Sequence, residues 1–310
     1  MSRRLVSAPR AELRLRAAAA WLESRPATEE TIVVGATADA ASEQIRAIAK
    51  VRGAAFGFHR FTLNRLAAEL AKLAMVTANL ATVGSLAIEA LCARVIDRLR
   101  SEGKLARLGA VADQPGLPRA LARTLDELRM AGVPTLAGEL GEALYAIEDE
   151  LTTKGLADRA CVFRIAAQVA ESGEPHLLLD RHVLLVDVRV KTSAERRLVA
   201  AIVARAPSAL ATVPVGDERT LACLAPIFGE PAALETDTAD ALHRVQRRLF
   251  APVVEKAVLD ETVHVMSAPG ENRECVEIAR RVLAEAERGV PFDRMAVLLR
   301  SPEQYRVHVE

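Results

Sequence analysis

The sequence predicts an α/β fold in which a parallel sheet is interrupted by a helical insertion. Apolar runs of strand length alternate with stretches of helical periodicity in both halves of the chain, and such alternation is typical of parallel sheets. The run at residues 182–186 is almost wholly apolar and is followed by Asp187, the pattern of a strand buried on both faces. Between residue 85 and about residue 170 the apolar spacing is helical, which predicts an insertion of four or five helices.

The composition is that of a folded protein with no general attraction for polyanions. The chain has 310 residues, a length that favours two domains or one large elaborated domain. Hydrophobic residues make up 51% and charged residues 26%, which excludes intrinsic disorder. Because 41 Lys and Arg residues balance 41 Asp and Glu residues, any binding to nucleic acid must depend on local patches of charge.

The cysteines and the N-terminus predict a cytoplasmic protein without metal-binding cysteine pairs. The first ten residues lack the apolar segment of a secretory signal, and no run of eighteen apolar residues occurs. We therefore expect no contact with a membrane. The cysteines lie far apart in the sequence and are expected to be reduced and buried; they are Cys92, Cys161, Cys223 and Cys275.

Helix and strand signals can be placed in order along the first third of the chain. A helix is predicted at residues 11–23, ended by Pro26, with an apolar stripe of Leu13, Ala17, Ala20 and Trp21. A strand at 31–34 then leads through a glycine into a helix that Asp39 could cap. The next helix begins near Thr62 and presents Leu63, Leu66 and Leu70 on one face.

The remainder of the chain continues the alternation after the insertion. Thr192 and Glu195 have the spacing of a capping box that opens a helix. Further strands are predicted at 210–215, 263–266 and 294–299, and further helices around residue 221, at 240–250 and at 271–288.

Residues 35–42 have part of the pattern of a phosphate-binding loop, G-x-x-x-x-G-K-[ST]. Gly35 and Ser42 occupy the first and last positions after a predicted strand, but Ala40 replaces the second glycine and Ala41 replaces the lysine. The cation that contacts the terminal phosphates is therefore missing. The segment is either an ordinary turn between a strand and a helix or a nucleotide site that has lost its function.

Two aspartates at predicted strand ends extend this candidate site. Asp187 stands where a nucleotide-hydrolysing enzyme keeps a magnesium-binding acid, but Val188 follows it in place of a second acid. Asp217 follows Gly216 at the end of the next strand, a position at which superfamily-one helicases carry a Gly-Asp pair. A degenerate nucleotide site is thus predicted from Gly35, Ala41, Ser42, Asp187 and Asp217.

The C-terminal part carries the most specific resemblance to a known family. Residues 267–281 and 289–301 resemble the opening of the second motor domain of UvrD-like helicases, and more closely the AddB-type subunits of bacterial helicase-nuclease repair complexes, which are PD-(D/E)XK nuclease family proteins. Residues 115–121, 127–129 and 155–160 also look like that family. The resemblance runs from Thr31 to Tyr305.

The resemblance implies a P-loop NTPase-like sheet, a degenerate superfamily-one helicase domain, with a helical insertion. Residues 1–84 and 176–260 would form the two parts of the first motor-like domain (1A), 85–175 the insertion (1B-like), and 261–310 the start of a second motor-like domain (2A-like). The family's nuclease domain, with its Mg²⁺ and in some members an Fe–S cluster, would lie beyond residue 310. No cofactor is expected in this chain, whose acid-x-Lys triplet, Glu102 to Lys104, fits a solvated turn.

Local arginines are the candidates for contacts with DNA, although solvated helix faces also explain them. One lies among the aromatic residues 56, 58 and 61 and one follows them, three share a helix face, and one directly follows the last predicted strand. They are Arg60, Arg65, Arg244, Arg247, Arg248 and Arg300.

The function that the resemblance implies is that of an ATPase-inactive, DNA-binding and architectural portion of a subunit that repairs double-strand breaks. Its expected partners are a DNA end, single- or double-stranded, and a helicase-nuclease subunit. Two other functions stay open: an α/β enzyme for a small metabolite that uses Asp187 and Asp217, and a scaffold that binds a partner helicase but not DNA.

Overall fold

The structure, a computed structural model, describes residues 2–234, 240–248 and 256–309. The chain divides into two compact units, Met1–Asp237 and Thr238–Glu310. Each unit is described by itself below.

The first unit is built on a parallel six-stranded sheet, which confirms the predicted α/β class. Its sheet strands and a separate two-stranded pair are, in chain order, β1 (Ser2–Ala8), β2 (Thr31–Gly35), β3 (Phe58–Phe61), β4 (Ala81–Thr82), β5 (Leu156–Ala157), β6 (His182–Val186), β7 (Ser208–Pro214) and β8 (Ala232–Ala233). The sheet order is β3-β2-β6-β7-β1-β8, and β4 pairs with β5. Every pairing between these strands is parallel.

The helices connect these strands and extend into the second unit. They are α1 (Ala11–Glu23), α2 (Ala38–Arg52), α3 (Leu63–Thr77), α4 (Ser85–Ser101), α5 (Leu117–Ala131), α6 (Glu139–Thr153), α7 (Arg159–Glu171), α8 (Ser193–Arg205), α9 (Glu218–Phe228), α10 (Ala241–Arg248), α11 (Glu271–Glu287) and α12 (Pro302–Val309). Short 3₁₀ helices lie at Leu108–Val111 and Phe292–Arg294.

Helices cover both faces of the sheet, so its central strands are buried on both sides. Side chains of α1 and α2, among them Trp21, Leu22 and Ile48, pack on one face. Side chains of α3, α7, α8 and α9 pack on the other face. Every residue of β2 and β6 is buried, as continuous apolar runs in a parallel sheet predict.

Of the two helix caps that the sequence predicts, the one at α8 is confirmed and the one at α2 is wrong. Thr62 caps α3, and Thr192 and Glu195 form the complete capping box of α8. At α2 the prediction was wrong, because Thr37 rather than Asp39 is the N-cap residue. The Thr37 hydroxyl accepts the backbone N–H of Ala40 at 3.1 Å, one turn into the helix.

The helical insertion has its own apolar core. Within residues 85–170 the structure has four α-helices, as predicted. Helices α4, α5 and α6 pack around Leu91, Val95, Leu125, Leu144 and Ile147. Helix α7 instead packs against α3 and α8, so it belongs to the layer that covers the sheet.

The N-terminal segment differs from the prediction in two respects. Residues 2–8 form β1, which lies between β7 and β8, although no strand was predicted there. The first three residues of β1 are exposed and only the last four are buried. The buried stretch is therefore too short to predict a strand from the sequence. The buried stripe of α1 is Arg14, Ala18, Trp21 and Leu22, whereas Ala20 of the predicted stripe is exposed.

In the second unit the helix at Glu271–Glu287 is confirmed and the two strands are wrong. Residues 256–309 contain no strand, either at 263–266 or at 294–299. Val265 is 80% exposed and Leu298 is 94% exposed. A strand requires a paired neighbour for its backbone groups, and residues 256–309 supply none. The predicted helix at 240–250 is described only for Ala241–Arg248.

Gly35 supplies a test of the tight turn between β2 and α2. A Cβ atom at residue 35 would lie 2.6 Å from both the Ala41 nitrogen and the Thr37 oxygen. We predict that Gly35→Ala lowers the free energy of unfolding by about 1–3 kcal/mol, because backbone atoms must move. The control is Gly109→Ala, whose added Cβ meets only the Leu105 Cβ at 3.6 Å. Urea denaturation of the two variants measures the difference, and equal stabilities would contradict the packing described here.

Candidate functional site at the carboxyl edge of the sheet

The carboxyl ends of β2 and β6 lie side by side at a point where the chain paths diverge. Gly35 pairs with Val186, so Asp187 follows directly beside the end of β2. Helix α2 leaves β2 toward one face of the sheet and α8 leaves β6 toward the other. In open parallel sheets a ligand crevice forms at such a switch point. The structure thus places Gly35 and Asp187 at the same edge of the sheet.

The turn after β2 leaves little room to surround a phosphate. Helix α2 begins at Ala38, so only Ala36 and Thr37 separate it from the strand. Ala41, in the position of the lysine of a phosphate-binding loop, is fully buried. The Ser42 hydroxyl donates to the Ala38 carbonyl at 2.8 Å within the helix. The backbone here forms an ordinary helix start.

Asp187 is held by an arginine from another element. The Arg14 guanidinium donates from Nε to Asp187 Oδ1 at 2.9 Å and from Nη2 to Oδ2 at 3.0 Å. Arg14 is 5% exposed and also donates to the backbone carbonyl oxygens of Ala8 and Pro9. Such a two-point contact fixes both side chains and neutralises the carboxylate.

The neighbouring strand adds further hydrogen bonds to Asp187. Its backbone nitrogen donates to the carbonyl and hydroxyl oxygens of Thr212, each at 3.1 Å. The Thr212 hydroxyl donates to Asp187 Oδ1 at 2.9 Å. Asp187 has a φ of +49°, a conformation that Asp adopts more readily than most residues. Both carboxylate oxygens are therefore engaged within the protein.

Arg14 is the functional residue that sequence reasoning missed. It follows β1, which is separated from β6 by β7, so its side chain reaches across one strand to Asp187. A signal was present: Arg14 stands at the helical spacing of the buried residues Ala18, Trp21 and Leu22. A charged residue in an apolar stripe requires a buried partner of opposite charge.

Asp217 caps a helix and makes no hydrogen bond or ion pair with Asp187. Its carboxylate accepts the backbone N–H of Thr220 at 3.2 Å and the Thr220 hydroxyl at 2.8 Å. Thr220 in turn accepts the backbone N–H of Val190 at 3.3 Å. These contacts fasten the start of α9 to the segment after β6, a structural role for both residues.

The predicted DNA-contacting arginines fall into both units. In the first unit Arg60 is exposed, and Arg65 is exposed but forms an ion pair with Glu69 at 3.0 Å. In the second unit Arg244 donates to the Val258 carbonyl at 2.9 Å, and Arg300 is exposed. Arg247 and Arg248 complete the face of α10.

Three further basic residues follow β6 and β7 and were not predicted. Arg189 and Lys191 come after β6, Arg219 lies at the start of α9, and all three are exposed. Arg219 Nε donates to the Lys191 carbonyl at 3.1 Å, so the two segments are in contact. They place positive charge at the carboxyl edge of the sheet.

The other candidate groups have structural environments. Burial, followed by the nearby charge of Glu89, raises the pKa of Cys92 to about 11. Cys275 is buried as expected, but Cys161 and Cys223 are partly exposed. Lys104 and Glu102 form an exposed ion pair at 2.9 Å after α4, which confirms the solvated turn. Within the described ranges no group of three or more His, Cys, Asp or Glu side chains could hold a metal ion.

Comparisons with known proteins add no family name. The chain matches none of the protein-family models and none of the curated proteins with which it was compared. Among the residues that the structure describes, no helix has the length and apolar character needed to cross a bilayer.

The Arg14–Asp187 pair predicts an asymmetric effect of substitution. Arg14→Met should lower the free energy of unfolding by about 3 kcal/mol, because it leaves a poorly solvated carboxylate without its cation. Adding Asp187→Asn should restore part of this loss, since the amide removes that charge. Arg65→Met, which breaks the exposed pair with Glu69, should cost less than about 1 kcal/mol. Chemical denaturation measures these differences. A double variant less stable than Arg14→Met would contradict the claim that Arg14 neutralises the Asp187 carboxylate.

Proposed function

We propose that this chain is the helicase-like, ATPase-inactive, DNA-binding and architectural portion of a subunit of a helicase-nuclease that repairs double-strand breaks. The family resemblance of residues 267–301 suggests the system. The observation that carries the absence of ATPase activity is the Arg14–Asp187 ion pair. It supports a motor-like sheet in which an internal guanidinium lies against the acid that would otherwise help to bind magnesium.

Nucleotide hydrolysis needs three things at the edge of such a sheet. A loop must surround the phosphates, a lysine must reach the terminal ones, and an acid must help to hold Mg²⁺. Here only two residues separate β2 from α2, Ala41 is buried, and the Asp187 carboxylate is hydrogen-bonded to Arg14. Each of these observations argues against productive binding of Mg-ATP.

Binding of DNA would depend on local positive charge on a neutral chain. Four exposed basic residues lie near the carboxyl ends of β3, β6 and β7, with β2 between β3 and β6; they are Arg60, Arg189, Lys191 and Arg219. Contacts of this kind go to phosphates, so they give affinity without sequence preference. In this proposal DNA lies along this edge, and the arginines of the second unit add contacts of their own.

In this proposal the nuclease and helicase activities belong to other domains and subunits of the helicase-nuclease. In this proposal the nuclease domain, with its Mg²⁺ and any Fe–S cluster, lies beyond residue 310, and a partner helicase subunit works beside this one in the cytoplasm. The exposed apolar side chains of Val265 and Leu298 support a second unit that further strands cover.

The first test concerns the nucleotide. We predict no saturable binding of labelled ATP at micromolar concentrations in the presence of Mg²⁺, because the phosphate-binding cation is absent and Asp187 is already paired. Equilibrium dialysis measures it directly. Saturable binding that Ser42→Ala abolishes would show a working site and contradict the proposal.

The second test concerns DNA. We predict weak binding of a single-stranded oligonucleotide at low salt, weakening steeply as salt is added because phosphate contacts release counterions. Fluorescence anisotropy should show weaker binding for Arg60→Glu than for the control Lys72→Glu, an exposed residue on α3 with the same change of charge. If no binding occurs at low salt, the scaffold that contacts only a partner subunit becomes the better account.

A further inference from the structure

A cleft lies between the helical insertion and the start of α7, and no residue of the site described above lines it. It is formed by the start of α4, one face of α5 and the start of α7, and its volume is about 660 Å³. This volume lies within the range of roughly 300–1,000 Å³ that is usual for small-molecule sites.

The floor of the cleft is apolar and fixed in place. Leu125 and Ile147 are each 1% exposed and belong to the core of the insertion, and Ile88 packs beside them. No aromatic side chain lines the cleft, so it lacks the stacking surface that single-stranded nucleic acid uses. The floor suits an aliphatic body.

The charged side chains at the inner end of the cleft form ion pairs within the protein. Arg129 donates to both carboxylate oxygens of Asp158, at 2.6 and 3.3 Å. Arg159 donates to Glu195 at 2.7 Å and lies 3.6 Å from Asp126. Burial raises the pKa of Asp126, whose carboxylate lies close to the Arg159 guanidinium.

The rim carries the charges that a ligand could meet. Arg119 is exposed on α5 and forms no ion pair, and Arg123, one turn further along, forms only an exposed pair with Glu127 at 3.4 Å. Glu89 on α4 is the opposing carboxylate, also without an ion pair. Because Arg123 is paired with Glu127, Arg119 is the rim arginine left to bind an anionic group.

We propose that this cleft binds an amphipathic organic anion, with an aliphatic body against Ile88, Leu125 and Ile147 and an anionic group at Arg119. This binding is independent of the proposed contact with DNA. The apolar floor supplies affinity and Arg119 selects the sign of the charge.

The test uses decanoate as the probe and decylammonium as its cationic counterpart, both below the concentrations at which they form micelles. Calorimetry on the full chain should show one saturable site for decanoate and none for decylammonium. Hydrogen exchange should show decanoate protecting residues 117–131. Arg119→Glu should weaken decanoate binding about tenfold, since it replaces an attractive charge by a repulsive one. Glu89→Gln should strengthen it about twofold by removing a repulsive charge.

Lys72→Glu is the matched control, because it makes the same change of charge at an exposed residue of α3, a helix that does not line the cleft. It should leave decanoate binding unchanged. The proposal is overturned if decanoate does not bind, if decylammonium binds equally well, or if protection appears outside the cleft. It is equally overturned if Arg119→Glu and Lys72→Glu have the same effect, or if Glu89→Gln weakens the binding of decanoate.

Discussion

The ion pair between Arg14 and Asp187 joins parts of the first unit that are far apart in sequence. Arg14 lies on the helix after β1, and Asp187 lies at the end of β6, with β7 between them. Thr212 of β7 bonds to the same carboxylate, so three neighbouring strands share one polar cluster. Burying a guanidinium is unfavourable unless its charge is matched, and therefore the position of α1 and the conformation of Asp187 depend on each other.

The same interaction determines what the carboxyl edge of the sheet can do. A carboxylate that accepts two hydrogen bonds from arginine and one from a threonine has little capacity left for a metal ion. Asp217 is likewise engaged, as the cap of α9. The acids at this edge therefore stabilise the fold, which disfavours an enzyme for a small metabolite that would use these two aspartates.

The fold could be predicted where short-range patterns decide it. The buried runs of β2 and β6 and the Thr192–Glu195 capping box are local signals, and the structure confirms them. The Arg14–Asp187 contact spans 173 residues, and no local pattern encodes such a partner. In the second unit the sequence instead predicts strands that the structure lacks. Residues 294–299 have strand composition, but composition cannot supply the paired neighbour that a strand needs.

The central claim is that Arg14 occupies the coordination capacity of Asp187. A titration of the chain with Mn²⁺, followed by electron paramagnetic resonance of the free ion, tests it most directly. The account predicts the same absence of micromolar Mn²⁺ binding for the wild-type chain and for Asp187→Asn. One equivalent of Mn²⁺ bound by the wild type and lost in Asp187→Asn would show that the carboxylate is available to a metal, and would contradict the account.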